Sequence, residues 1–175
     1  MAKPATWIAA LAAAACGWAC SPVLDWREFV PEGSDLSVSF PCRPDRSSRP
    51  LMLAGTRVQM EMLACSAGHA TFALAFTEVA DPARIGATLA ALRGSAVANV
   101  SGSEPASAPL RIKGMTPNDQ AGRLAVTGRL PDGSTVQESA AFFTRGLRVY
   151  QATVIGAEPA PEAVEIFIAG LKFPG

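Results

Sequence analysis

The chain has 175 residues, of which 49% are apolar, and its 15 basic residues equal its 15 acidic residues in number. This length and composition suit one domain with its own hydrophobic core and argue against intrinsic disorder. A balanced charge provides no general attraction for nucleic acid or for an anionic membrane surface, so no nucleic-acid partner is expected.

The N-terminal residues have the layout of an export signal. Lys3 precedes an almost unbroken, alanine-rich apolar segment at residues 5–19. As a helix this segment would be about 22 Å long, which is shorter than the ~30 Å apolar core of a membrane. One positive charge, a short apolar run and small residues before Pro22 predict a signal peptide over residues 1–19. An uncleaved membrane anchor is the alternative.

Two cysteines, Cys16 and Cys20, are candidates for lipid attachment at the end of this segment. The peptidase that processes lipoproteins needs small residues before the cysteine that takes the diacylglycerol. Three alanines precede Cys16, whereas Trp18 interrupts the residues before Cys20, so local chemistry favours Cys16. A plain cut after Ala19 would instead leave Cys20 as an unmodified N-terminal thiol.

The residues after Cys20 resemble the start of small proteobacterial lipoproteins. "CSP" at 20–22 and "DWRE" at 25–28 carry this likeness, and "LSVSFP" at 36–41 with a following proline extends it. The resemblance favours Cys20 over Cys16 as the lipid site. If Cys20 takes the lipid, the residues after it are expected to form an N-terminal tether over residues 20–29, ahead of a single domain over residues 30–175.

Cys42 and Cys65 remain after lipidation, and each follows a strand-like segment. In an exported protein two such cysteines can form a disulfide. The bond would close a loop of about two dozen residues and would stabilise the fold by roughly 3 kcal/mol. Two free thiols are the alternative. A metal site is not expected, because neither a CxxC pair nor a second histidine accompanies these cysteines.

Alternating apolar residues in the first half of the chain predict an antiparallel meander. The expected strands are 35–40, 51–53, 58–62 and 71–79, with a turn at Ala67-Gly68. The polar, proline-flanked stretch 43–50 is expected to be a loop. Asp81 and Pro82 then favour the start of a helix, and helical spacing places four apolar side chains on one face of it: Ile85, Leu89, Leu92 and Ala96.

The second half returns to strands after an exposed loop at 101–109. The expected strands are 110–113, 124–130, 135–144 and 147–155, with turns at residues 131–133 and 145–146. Pro161 opens a last helix, which Gly170 is expected to end and whose apolar face holds Val164, Phe167 and Ile168. This order predicts an α+β domain with a mostly antiparallel sheet flanked by two helices.

The order of elements also resembles the PsbP-like fold, known from the extrinsic photosystem II subunit and from many small bacterial exported proteins. The stretches that carry the likeness are Phe40-Pro41, Gly122-Arg123-Leu124, Arg148-Val149-Tyr150-Gln151 and the segment 167–173. The resemblance implies an α/β/α sandwich and a non-catalytic binding or assembly module.

No catalytic set is recognised in the sequence. His69, the one histidine, follows Gly68 at the predicted turn, where a solvated side chain is expected. Three arginines could bind an anionic partner, although a solvated loop is the simpler interpretation: Arg43, Arg46 and Arg49. Three methionines could ligate copper(I), although strand spacing with Val58 assigns two of them to the core: Met52, Met60 and Met62. No cofactor and no metal are expected.

These patterns predict a non-catalytic lipoprotein, held by acyl chains such as palmitate on the periplasmic face of a bacterial membrane. Its domain is expected to bind an unknown protein or a small ligand. The alternatives are the same domain behind an uncleaved transmembrane anchor, and an enzyme whose site is built from scattered polar residues.

Overall fold

The computed structural model describes residues 23–103 and 107–174, where eight strands and two helices follow one another along the chain. The strands are β1 (Arg27–Phe29), β2 (Val38–Phe40), β3 (Asp45–Leu53), β4 (Thr56–Ala67), β5 (Ala70–Glu78), β6 (Gly122–Arg129), β7 (Thr135–Arg145) and β8 (Arg148–Gly156). The helices are α1 (Ile85–Asn99), which a 3-10 turn at Pro82–Arg84 precedes, and α2 (Pro161–Ala169).

Six strands form one antiparallel sheet in the order β3-β4-β5-β8-β7-β6, and β1 pairs with β2 in a separate two-stranded sheet. The predicted α+β class with a mostly antiparallel sheet and two helices is therefore confirmed. Because β5 pairs with β8, the two meanders that the sequence predicts join into a single sheet through its centre.

The two helices lie on opposite faces of the six-stranded sheet. Leu89 and Leu92 of α1 belong to one apolar cluster, together with residues of β4, β7 and β8. On the other face Phe167 of α2 contacts the rings of Phe40 and Phe72, with centroids 5.3 and 5.4 Å away. Both faces of the central strands are thus covered, which explains why β7 and β8 are apolar at consecutive positions.

Local sequence signals set the ends of several elements as expected. The Asp81 carboxylate accepts a hydrogen bond from the Ala83 backbone N–H and caps the turn that leads into α1. Gly68 and His69 both have positive φ, at 57° and 62°, so the β4–β5 hairpin closes through a two-residue turn that fits the twist of its strands. The predicted buried faces of α1 and α2 are confirmed, and two residues after α2 are buried in the same cluster as that helix: Leu171 and Phe173.

Two predictions of local structure are wrong. Residues 43–50, expected to be a loop, lie largely within β3. This strand lies at the edge of the sheet with most of its side chains exposed, so it shows no apolar alternation, and an edge strand tolerates Pro50. Residues 110–113, expected to be a strand, are irregular, although Ile112 is buried in the cluster on the α2 side.

Part of the predicted tether lies against the domain. Leu24, Trp26 and Phe29 pack against the core on the α2 side, and the Trp26 ring meets Phe72 edge-on with centroids 5.8 Å apart. Residues 1–22, which include the predicted signal peptide, Cys16 and Cys20, lie outside the described residues. Within residues 23–103 and 107–174, neither helix has the length and hydropathy needed to span a membrane.

Replacing Tyr150 with phenylalanine is expected to lower the free energy of unfolding by about 1–2 kcal/mol. The Tyr150 hydroxyl donates a hydrogen bond to the backbone carbonyl of Ser34, and both residues are buried. The variant keeps the ring but leaves that carbonyl without this donor. Urea unfolding of the two proteins measures the difference, and equal midpoints would show that the hydrogen bond contributes nothing.

Candidate functional site

Cys42 and Cys65 form a disulfide, with a Cα–Cα distance of 6.0 Å, as one of the two sequence alternatives predicted. The bond joins the segment after β2 to the end of β4. It therefore ties the small sheet on the α2 side to the large one.

The three arginines at 43, 46 and 49 are exposed, but they do not form one free cationic patch. The Arg46 guanidinium lies 3.0 Å from the Glu61 carboxylate and 3.7 Å from that of Glu32. Hydrogen bonds from the Ser48 hydroxyl and then from Arg46 hold the pKa of Glu61 below its usual range. The stretch is thus partly neutralised by acids on its neighbouring elements.

The three methionines differ in burial although all three line one groove, and the histidine lies at a turn. Met60 is buried, Met62 is partly buried and Met52 is exposed, while His69 forms the tip of the β4–β5 hairpin. Within the described parts of the chain, no group of three histidine, cysteine, aspartate or glutamate side chains could hold a metal ion.

A groove of about 430 Å³ runs beside α1 on the sheet face that this helix packs against. We call it the helix-side groove. Ser95 and Asn99 of α1 form part of one wall, and Met60 and Met62 of β4 lie along it. Its size is in the range of small-molecule sites, which are clefts with mostly apolar walls and a few polar groups.

Small side chains on neighbouring strands create this groove. Thr153 of β8 pairs directly with Ala73 of β5 on one side and with Ala140 of β7 on the other. These three residues form a row of short side chains across the sheet. Ala75 and Gln151 form the next row towards the helix. Because Ala73, Ala75 and Thr153 have short side chains where larger ones would fill the space beside α1, the sheet surface is left open there.

Glu138 is the unexpected residue of the helix-side groove. It lies on β7 between Val136 and Ala140 on the same face, opposite Ile155 of β8, and only 4% of it is exposed. Among the described residues no hydrogen bond or ion pair reaches its carboxyl group. Burial raises the pKa of the Glu138 carboxyl to about 7. Such a carboxyl is costly in a fold and marks a candidate functional group.

Two neutral polar side chains lie near the middle of the groove. The Gln151 side-chain amide donates a hydrogen bond to the Thr153 hydroxyl at 3.0 Å, and both side chains line the cavity with Glu138. The groove therefore combines apolar walls, the Glu138 carboxyl, hydrogen-bonding groups and, from β3 on the far side, the basic residue Arg49. This set can bind a ligand with an apolar body and a group that donates hydrogen bonds or carries a positive charge.

The open sheet face continues beyond the helix-side groove. A wider concavity of about 800 Å³ shares Ile155 with it and extends to the Gly68-His69 turn. The first described residues lie beside the same turn, because a Cβ placed on Gly68 would be 3.2 Å from the Leu24 side chain. The end of the domain where the described chain begins is thus the end at which this concavity opens.

Glu138 is not among the candidate residues predicted from the sequence, although the pattern of β7 contains a sign of it. Residues 136, 138, 140 and 142 share one face of a strand in which valine, alanine and phenylalanine are buried. An acid at the second of these positions breaks the apolar pattern, and an acid at an inward position is rare without a partner. No protein-family model matches the chain, and a search of curated proteins finds no match either.

Proposed function

We propose that the chain is an exported lipoprotein, anchored through Cys20 on the periplasmic face of a bacterial membrane, whose domain is a non-catalytic binding module. The observation that carries this proposal is the Cys42–Cys65 disulfide. Disulfides persist in oxidising compartments such as the periplasm and are rare in the cytosol. They therefore fit the export that the signal layout of residues 1–19 predicts.

The resemblance to PsbP-like proteins supports a binding role. A six-stranded antiparallel sheet with one helix on each face agrees in outline with the sandwich that the resemblance implies. The helix-side groove gives such a module a place to hold a ligand, since it is concave and mostly apolar with a few polar groups.

Anchoring at Cys20 would also orient the domain. Val23 is the third residue after Cys20, so the chain between them can span no more than about 10 Å. Val23 and Leu24 lie beside the Gly68-His69 turn, where the wider concavity opens. The Gly68-His69 end of the domain would then lie near the membrane, and a ligand could enter the wider concavity from that end.

Cys20→Ser is expected to abolish incorporation of an alkyne-labelled palmitate analogue into the protein in its native host, because it removes the thiol that takes the lipid. Cys16→Ser is the matched control and should keep the label. Label lost only in Cys16→Ser would move the anchor to that cysteine, and an unlabelled wild-type protein would overturn lipidation altogether.

A further inference from the structure

The helix-side groove contains a carboxyl group, that of Glu138, with no counter-charge in contact with it among the described residues. Glu138 is 4% exposed and has no hydrogen-bond or ion-pair partner among the described residues, yet it lines the cavity. A buried carboxylate is normally paired with a cation or held by several donors. The missing partner is therefore expected to come from a molecule that enters the groove.

Two basic residues on this side of the sheet, Arg49 and Arg93, do not supply that partner. Arg49 lines the groove from β3, which is four strands from β7, or about 19 Å across the sheet. Arg93 of α1 lies over the Phe142 ring, with its guanidinium carbon 5.6 Å from the ring centre. Phe142 is four residues from Glu138 along β7, which is about 13 Å.

The apolar walls of the groove indicate that the part of the ligand away from its charged group is apolar. Met60, Met62, Leu92 and Ile155 present apolar surface around the polar centre. A small ion would leave this apolar surface exposed to water, and a hydrocarbon would leave the Glu138 carboxyl without a partner. The complementary molecule has a compact apolar body and one protonated amine.

We propose that the helix-side groove binds an apolar amine whose ammonium group pairs with the Glu138 carboxylate. This inference deepens the proposed binding function and rests on it, but it requires only the groove and not the lipid anchor. Thr153 lies opposite Ala140, two residues along β7 from Glu138, and its hydroxyl can accept a hydrogen bond from a polar group elsewhere on the ligand.

Methionine methyl signals in NMR spectra can report on this site. The mature protein, labelled with ¹³C at the methionine methyl groups, is placed in phosphatidylcholine nanodiscs at about pH 8 and titrated with 2-phenylethylamine. Met60 and Met62 line the groove, whereas Met115 packs against the cluster on the α2 side and serves as an internal control. The matched neutral probe is 2-phenylethanol, which has the same apolar body.

We expect the Met60 and Met62 signals to shift saturably with the amine while the Met115 signal stays in place. The alcohol and the Glu138→Gln variant should each show at least ten-fold weaker binding. Glu162→Gln, which removes an exposed acid at the start of α2, should bind like wild type. Absence of a saturable shift, equal affinity for the two probes, or unchanged affinity in Glu138→Gln would overturn the proposal.

The test separates this inference from the anchoring proposal. Palmitate labelling at Cys20 with no amine binding would overturn the ligand class and leave the exported lipoprotein standing. Amine binding by a full-length protein that carries no palmitate label would support the ligand class and overturn the lipid anchor.

Discussion

Glu138→Gln is expected to raise the free energy of unfolding by on the order of 2–3 kcal/mol at about pH 9 and to leave it nearly unchanged at about pH 4. The carboxyl of Glu138 is buried, and burial raises its pKa from 4.5 to about 7 in the folded protein. In the unfolded chain the same carboxyl ionises at its ordinary pKa. Between these two values the folded state therefore holds a proton that the unfolded state has already lost.

The direction of the pH dependence follows from this difference. Below about pH 4.5 both states are protonated, and Glu138 carries no charge penalty. As the pH rises from about 4.5 to about 7, the folded state loses stability relative to the unfolded chain, because the unfolded chain ionises freely while the folded state keeps its proton. Above about pH 7 both states are ionised, and the loss stays constant. The amide of glutamine has nearly the same shape and no such charge, so the variant avoids the loss.

Urea unfolding of wild type and Glu138→Gln across this pH range measures the effect as a difference between two curves. Subtracting the curves removes the contribution of all other titrating groups. Glu162→Gln is the matched control, since this exposed residue should give a flat difference. A flat difference for Glu138→Gln as well would mean that its carboxyl titrates normally and is not desolvated in the groove.

The loss of folding stability that Glu138 causes above neutral pH is relevant to function. A glutamine or an apolar residue at position 138 would give a more stable domain, so the acid opposes stability at neutral pH. Groups of this kind are found where activity or binding requires them, at the expense of stability. The proposed amine would relieve the penalty by pairing with the carboxylate, and it should therefore stabilise the wild-type protein above neutral pH.

Removing the disulfide with Cys42→Ala and Cys65→Ala together is expected to lower the free energy of unfolding by about 3 kcal/mol. The two cysteines are 23 residues apart, so the bond restricts a loop of that length in the unfolded chain. Folding of the double variant must close this loop without the covalent constraint.

Guanidinium unfolding with and without dithiothreitol checks this expectation and provides its own control. Reductant should destabilise the wild-type protein and should have no effect on the double variant. Equal stability of wild type and variant in the absence of reductant would contradict a structural role for the bond. Thiol labelling of both cysteines in the non-reduced mature protein would contradict the bond itself.

The sequence predicts the parts of this fold that depend on local patterns. Leu89 and Leu92 repeat at helical spacing after a good capping residue, and Val164, Phe167 and Ile168 do so after Pro161, so both helices and their buried faces could be predicted. Strand β3 was missed because an edge strand has one neighbour, and its exposed residues leave no alternation to detect.

The candidate site could not be predicted, because it depends on contacts between distant segments. Ala73, Thr153 and Ala140 become neighbours only when β5 pairs with β8, and 80 residues separate the first two along the chain. An alanine or a threonine in a strand gives no sign that a groove lies above it. Glu138 was visible as a break in the apolar pattern, but its meaning depends on where α1 leaves the sheet open.

The intact mass of the protein purified from the membranes of its native host tests the central proposal most directly. Export and anchoring predict a chain that starts at Cys20, carries a diacylglycerol and a further acyl group, and is two hydrogens lighter because of the Cys42–Cys65 bond. A mass equal to the unmodified, full-length chain with four free thiols would contradict both the anchor and the oxidising compartment.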